Sequence, residues 1–246
     1  MSNNLKKVAL FLTVGLVSFN LLSSCGKKDN KKDDEKKPFT ITASDVMNSK
    51  SELKKVVALS SWEIGVNNGD DTVGTATYEN NGFTLTLNDI VSEHLAPVNT
   101  VFEEMIDSVQ ISDSNANIAF LEEIIGLDEN NTLMGYFSYG AETVNTEYLS
   151  NWVYVDKDVT VNGQIRMEDG LYKSNFVYEM SFKKGWNEIY AIMKESYDEV
   201  NDIGLDDFKI TTQKPENIVY KWRLEEDEFR SKLKANKKMP FMVFKY

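Results

Sequence analysis

The chain is expected to be mainly β: an antiparallel β-sandwich of about ten short strands with two or three short helices, or a barrel built from similar strands. Three observations predict this. Apolar residues alternate with polar ones over short runs, turn-forming Asn, Asp and Gly recur about every ten residues, and no βαβ alternation is present. Residues 38–246 contain no Pro/Ser/Gly-rich linker and are read as one domain.

The elements follow in order. Phe39–Ala43 alternates after Pro38 and reads as a first strand. Lys54–Ile64 is β-rich, although Asn48–Leu59 also accommodates a short helix. Thr72–Glu79 and Phe83–Leu87 flank Asn80-Asn81-Gly82, a hairpin signal because Asn and Gly tolerate positive φ. Val98, Val101, Phe102, Met105 and Ile106 have helical spacing, which predicts a helix over Val98–Val109. Strands are expected at Asn117–Leu127, at Thr132–Tyr139 and twice within Tyr148–Arg166, around Asp156-Lys157-Asp158. Val159, Val161, Ile165 and Met167 predict one inward face, interrupted by Gly163. Glu168-Asp169-Gly170 is a second hairpin turn, and Lys183-Lys184-Gly185 turns the returning strand into Trp186–Met193. Acidic Glu195–Asp207 is expected to be loop. Phe208–Thr212 and Ile218–Trp222 are read as strands, Glu225–Lys234 as a polar helix and Phe241–Tyr246 as a last strand.

Charge is unevenly placed. The whole chain carries −12, but residues 1–55 are net +5, with 11 Lys and 6 acids. Residues 56–156 hold 17 acids and neither Lys nor Arg, whereas residues 157–246 balance 16 basic residues with 16 acids. An acidic chain of pI near 4.7 argues against nucleic acid as a partner, because phosphate binding needs a basic face. A single Cys and a single His leave no disulfide framework, no thiolate zinc site and no multi-histidine metal centre.

The N-terminus reads as an address. Lys6 and Lys7 precede an apolar run from Val8 to Leu22, too short to span a bilayer comfortably, since spanning takes about 20 residues. Leu22-Ser23-Ser24-Cys25 then resembles the lipobox of bacterial lipoproteins. That resemblance implies cleavage after residue 24 and acylation of Cys25, with the membrane as a partner through N-terminal acyl chains. The expected organisation is therefore a signal peptide at 1–24, the acylated Cys and a charged tether at 25–37, and the β domain at 38–246. The tether, Gly26–Lys37, contains six Lys and four acids and nothing to bury. Within it, Lys32-Asp33-Asp34-Glu35 resembles the export signal of surface lipoproteins in Bacteroidota, which implies an outer-membrane protein facing the cell surface. The alternative is the periplasmic face. Gly74-Thr75-Ala76-Thr77-Tyr78, Gly82–Leu87, Trp152–Asp156 and Lys184-Gly185-Trp186-Asn187 also resemble segments of uncharacterised Bacteroidota lipoproteins, a likeness that implies a β-rich domain and carries no catalytic residues. Asp71-Thr72-Val73 and Asp107-Ser108-Val109 resemble O-glycosylation sites of that group, which would make Thr72 and Ser108 acceptors.

Chemistry is sparsely signalled. His94 stands in Ser92-Glu93-His94-Leu95-Ala96-Pro97 without a Gly-x-Ser-x-Gly elbow, and reads as a surface or capping histidine. No cofactor motif occurs. Asp113–Asn117 begins like an EF-hand loop, but Ile118 and Ile124 occupy the positions of its Gly and bidentate acid. An irregular Ca²⁺ site is left to the loops containing Asp70 and Asp71 or Asp128 and Glu129. Glu103-Glu104, Glu122-Glu123 and Asp70-Asp71 supply paired carboxylates for glycosidase chemistry. Trp152 and Tyr154 share a strand face, as do Tyr220 and Trp222, giving either buried packing or a platform for sugar rings. The expected function is a lipid-anchored, non-catalytic binding or accessory module of the envelope, with a glycan or an envelope protein as ligand. The alternatives are a glycan-active enzyme and a structural component of a surface assembly.

Overall fold

The computed structural model describes residues 38–61, 71–102, 108–169, 172–198 and 203–226. The leader, Cys25, the tether, Asp70, Glu103-Glu104, residues 227–234 of the helix expected at Glu225–Lys234 and the strand expected at Phe241–Tyr246 lie outside the described residues.

The protein is mainly β, with a β-sandwich layering in which neither sheet closes into a barrel. β1 (Phe39–Ala43) and β4 (Phe83–Leu87) pair antiparallel as a two-stranded sheet. The remaining strands form one large sheet: β2 (Lys55–Ser61), β3 (Asp71–Thr77), β5 (Ala96–Pro97), β6 (Val109–Ile111), β7 (Asn117–Leu127), β8 (Leu133–Glu142), β9 (Thr146–Val155), β10 (Val159–Asp169), β11 (Tyr172–Phe182), β12 (Gly185–Asp198), β13 (Ile203–Thr211) and β14 (Lys221–Glu225). Its order is β3-β2-β7-β8-β9-β12-β13-β11-β10-β6, with β14 on β8 and β5 on β7. The pairings are antiparallel except for β11 with β13. Helical structure in the described residues is limited to a 3₁₀ turn, Ser92–His94, and one α-turn, α1 (Val98–Val101).

Two cores sit on opposite faces of the central strands. Trp152 and Tyr154 of β9 join Ile41, Leu85, Val56 and Trp222 in the first core, under the β1–β4 sheet. Val153 and Val155 join Phe102, Val161 and Tyr178 in the second. Trp152–Val155 is therefore continuously buried, the pattern of a strand covered on both faces. In a flat sheet β9 and β10 would stand about 19 Å apart, at ~4.8 Å per strand. Their apolar faces instead share the second core, so the sheet curls back on itself between them.

The turn at Asn80-Asn81 forms, with φ of 51° and 57°, and Glu79 bridges Gly82. The strands it joins do not form the expected hairpin ladder, because β3 pairs β2 and β4 pairs β1. β4 instead lies across β3. A Cβ on Gly74 would stand 2.6 Å from the Thr86 carbonyl oxygen, so only glycine admits that crossing. The β10–β11 hairpin forms in full register, from Val159↔Phe182 to Asp169↔Tyr172. Along its expected inward face Val159 and Val161 are buried, but Met167 is exposed. The Lys183-Lys184 turn also joins strands that do not pair: β13 wedges between β11 and β12.

Other expectations are corrected. Among the described residues the strands number fourteen rather than about ten, and several are long. Of the helix expected over Val98–Val109, the described residues show α1 at Val98–Val101, with Val98, Val101 and Phe102 buried as the spacing implies; Met105 and Ile106 lie outside the described residues, and Val109 belongs to β6. Glu195–Asp207 is not a plain loop, since β12 runs to Asp198 and β13 begins at Ile203. The polar side chains of Glu195–Asp198, Asp206 and Asp207 stay exposed or half-exposed while ladder hydrogen bonds satisfy the backbone. The Ile218–Trp222 strand is displaced to β14, which also absorbs Glu225.

Candidate functional site: a gap between three strands

β7, β8 and β9 meet as a triangle. β7 pairs β8 at Ile125–Leu127, and pairs β9 at Ile118–Phe120. β8 leaves β7 after Tyr136 and meets β9 only from Tyr139 onward. Between these ladders the strands part, with Leu121–Ile124, Phe137-Ser138 and Asn151-Trp152 around the opening. A bulge helps to open it. Leu59 opposes Glu123 while Ser60 opposes Leu121, so Glu122 is an extra residue in β7. The added residue lets Leu121 and Ile124 both reach the first core, although three positions separate them.

The gap is a cavity of about 310 Å³, near the small end of the size range of ligand sites. Its apolar lining includes Leu121, Ile124, Phe137 and Trp152, all buried members of the first core, with Leu149 and the half-buried Tyr136 and Tyr139. Polar lining comes from Glu122, Glu123, Glu142, Glu147, Glu225 and Arg223, with Ser138, Ser150 and Asn151. Five carboxylates and one guanidinium give a formal −5 + 1 = −4 around the opening. Strand parity places Glu142, Ser138 and Tyr136 on one face of β8, and Arg223 and Glu225 on the corresponding face of β14. The Ser138 hydroxyl donates to Glu225 Oε1 at 3.3 Å. Glu142 and Glu147 stand directly opposite each other across β8 and β9.

Beside the cavity lies a tyrosine cluster. The Ser150 hydroxyl donates to Glu188 Oε1 at 2.6 Å. Burial raises the Tyr190 hydroxyl above the ordinary tyrosine range, and its hydrogen bond to Glu188 and that carboxylate's charge add to the rise. Burial likewise raises Tyr220. The Tyr220 hydroxyl has no hydrogen-bond partner among the described residues. Lys214 Nζ stands 5.8 Å from the centre of the Tyr139 ring and 5.2 Å from that of Tyr220.

Trp152, Tyr154, Tyr220 and Trp222 are all buried, with exposures of 5–8%. Their large apolar area is spent inside: Trp152 stacks on Trp222 at 5.8 Å, and Tyr154 meets Trp186 edge-on at 5.5 Å. Of the four, Trp152 lines the cavity. Asp71 is engaged by His94 Nδ1, while His94 Nε2 stands 3.4 Å from Glu93. Asp128 closes the β7–β8 turn, accepting backbone N–H groups from Asn130 and Thr132 at 2.8 and 2.7 Å. The Thr132 bond is the largest cause of its lowered pKa. Glu129, at the tip of that turn, is exposed. Among the described residues, no group of three or more His, Cys, Asp or Glu side chains is placed to hold a metal ion. Thr72 and Ser108 are exposed. Of the paired carboxylates, Glu122-Glu123 reaches the cavity, in company with Glu142, Glu147 and Glu225, which the sequence does not mark as partners.

No protein-family model matches the chain, and no curated protein or solved structure matches it.

Proposed function

We propose that the chain is a lipid-anchored lipoprotein of the bacterial outer membrane, facing the cell surface, and that its β domain is a non-catalytic binding module. The cavity between β7, β8 and β9 carries the binding reading. A break in an otherwise paired sheet, floored by core aromatics and rimmed by charge, is costly to maintain and well shaped for a small ligand. Leu22-Ser23-Ser24-Cys25 supports the anchor.

Mass spectrometry of the expressed chain should find acyl mass on Cys25, and Cys25→Ser should move the protein out of the membrane fraction. Unchanged partitioning would refute the anchor. For the module, Ser138→Trp should fill the cavity. Ligands that raise the melting temperature of the wild-type protein in a small-molecule, glycan and peptide panel should lose that effect in the variant. Ligands that act equally on both would place binding elsewhere.

A second reading, a glycan-active enzyme, is favoured by the carboxylates gathered against aromatic walls. Hydrolysis of an aryl glycoside panel that Glu142→Gln or Glu147→Gln abolishes would select it over the binding module.

A further inference from the structure

We infer that two copies of this chain join edge to edge through β10, as an antiparallel two-fold pair centred on Met167. The inference is separate from the binding-module reading and does not use the cavity. It starts from the two ends of the large sheet. At one end β3 is closed off: β4 lies across it, and the Asn88 N–H donates to the Val73 carbonyl oxygen at 2.8 Å. At the other end β6 covers only Val161–Gly163 of β10. From Gln164 to Asp169, β10 pairs β11 on one side and, among the described residues, no strand on the other. A run of unpaired N–H and C=O groups on a sheet edge is a template for another strand.

The side chains along that edge select a second copy as the partner. Arg166 and Glu168 stand on one face of the sheet, opposite Asn175 and Lys173 of β11. Met167 stands on the other face, beyond Ile165 and the second core, and is 46% exposed. Asn175 is engaged by Gln164 and Asp207, at 2.6 and 3.1 Å. Arg166 makes no hydrogen bond or ion pair among the described residues. Glu168 meets Lys173 at 3.3 Å, an exposed contact that contributes little by itself. Now set a second copy antiparallel, with Met167 against the partner's Met167. Directly opposed residues share a face, so Arg166 meets the partner's Glu168, and Glu168 meets the partner's Arg166. Each Glu168 keeps Lys173 and gains a guanidinium, while the two methionines cover each other on the opposite face. Neighbouring registers are worse. Centring on Arg166 opposes the two guanidiniums, and centring on Glu168 opposes the two carboxylates. A half-step between them sets the apolar face of one copy beside the polar face of the other. Edge charges ordinarily block pairing. Here their order blocks the wrong registers and leaves one self-complementary register, as a two-fold interface requires.

The test is sedimentation equilibrium of the purified full chain in excess detergent, up to about 1 mM protein. The wild type should dimerise. Arg166→Glu, which opposes two carboxylates, should weaken the dimer at least tenfold, and Glu168→Arg, which opposes two guanidiniums, should do the same. The double variant Arg166→Glu/Glu168→Arg restores opposite charges and should return the dimer. Mixing the two single variants should give a heterodimer although neither self-associates, because each then meets its opposite charge twice. That recovery also shows that both single variants are folded. All the variants carry the same N-terminus, so sharing of micelles affects them alike. A wild type that stays monomeric to about 1 mM would overturn the inference. So would a dimer that the single swaps leave intact, which would place the contact elsewhere, or a loss that neither the double variant nor the mixture restores.

Discussion

Trp222→Ala is the most informative single perturbation of the fold, because Trp222 ties the small sheet to the large one. The residue sits on β14, is 5% exposed, and touches aromatics from three other strands. It stacks on Tyr139 of β8 at 4.8 Å and on Trp152 of β9 at 5.8 Å, and meets Phe83 of β4 edge-on at 5.2 Å. Truncating a buried Trp to Ala costs about 3–5 kcal/mol. The three aromatic contacts add roughly 0.5–1.5 kcal/mol each beyond burial, partly overlapping with that figure. The expected loss is about 5 kcal/mol, against a total of about 5–15 kcal/mol for an ordinary domain. Guanidinium unfolding followed by far-UV circular dichroism should show the midpoint collapse. Trp222→Phe, which keeps one ring, should lose about 1–2 kcal/mol. A double-mutant cycle with Phe83→Leu should return a coupling of about 0.5–1.5 kcal/mol, because that contact joins the two sheets. A loss below about 1 kcal/mol for Trp222→Ala, or a coupling near zero, would refute the claim that this cluster holds the layers together.

Three further outcomes follow from the same structure. Gly74→Ala places a methyl 2.6 Å from the Thr86 carbonyl oxygen and should cost about 1–3 kcal/mol in thermal unfolding, as β4 is pushed off β3. Burial raises Tyr178 to about 12, and Tyr190 and Tyr220 are raised as well. The folded state thus holds these protons more tightly than the unfolded one, and the stability they contribute is intact below about pH 10 and lost as pH climbs toward the folded values. Their tyrosinate absorbance should appear together with unfolding, and a smooth, non-cooperative titration would count against their burial. Asp158 is depressed, first by the Lys183 ammonium at 2.7 Å and then by the Lys184 backbone N–H at 2.9 Å. Its contribution is present above about pH 4 and lost as pH falls below it, so Asp158→Asn should flatten the acid limb of the stability curve.

How much of this was legible depended on whether the cause was local. Asn80-Asn81-Gly82 announced its turn because positive φ is a property of those residues themselves. The β10–β11 hairpin was readable for a similar reason, with Glu168-Asp169-Gly170 between two alternating runs. That β3 and β4 part after their turn was not readable. It depends on β1 and β2 offering better partners, and only Gly74 hints that another strand passes close by. The exposed end of β12 has no local signal because its order comes from backbone ladders with β13, while its side chains carry no apolar period. The adjacent Glu122-Glu123 was visible as a pair. The bulge that turns the pair toward a cavity is a matter of register with β2, which no local pattern encodes.

The acidic middle of the chain acquires a partial explanation from this topology. Residues 56–156, free of Lys and Arg, supply β7, β8 and β9, the three strands whose parting makes the cavity. Four of the 17 acids in that stretch, Glu122, Glu123, Glu142 and Glu147, line the opening, and Glu225 joins them from β14. Others have separate local duties. Asp71 holds His94, Asp128 closes a turn, and Asp156 accepts from the backbone and side chain of Asn117 at 2.9 and 2.7 Å. The absence of basic residues matters most at the cavity. A Lys on the cavity face of β7, β8 or β9 would supply the mouth with its own counter-charge and leave less attraction for a ligand. Arg223, the one basic residue in the lining, comes from outside the stretch, on β14. The sequence asymmetry thus maps in part onto a spatial one: four acids of a stretch without Lys or Arg line one opening, and the basic residue in that lining is brought to it by β14.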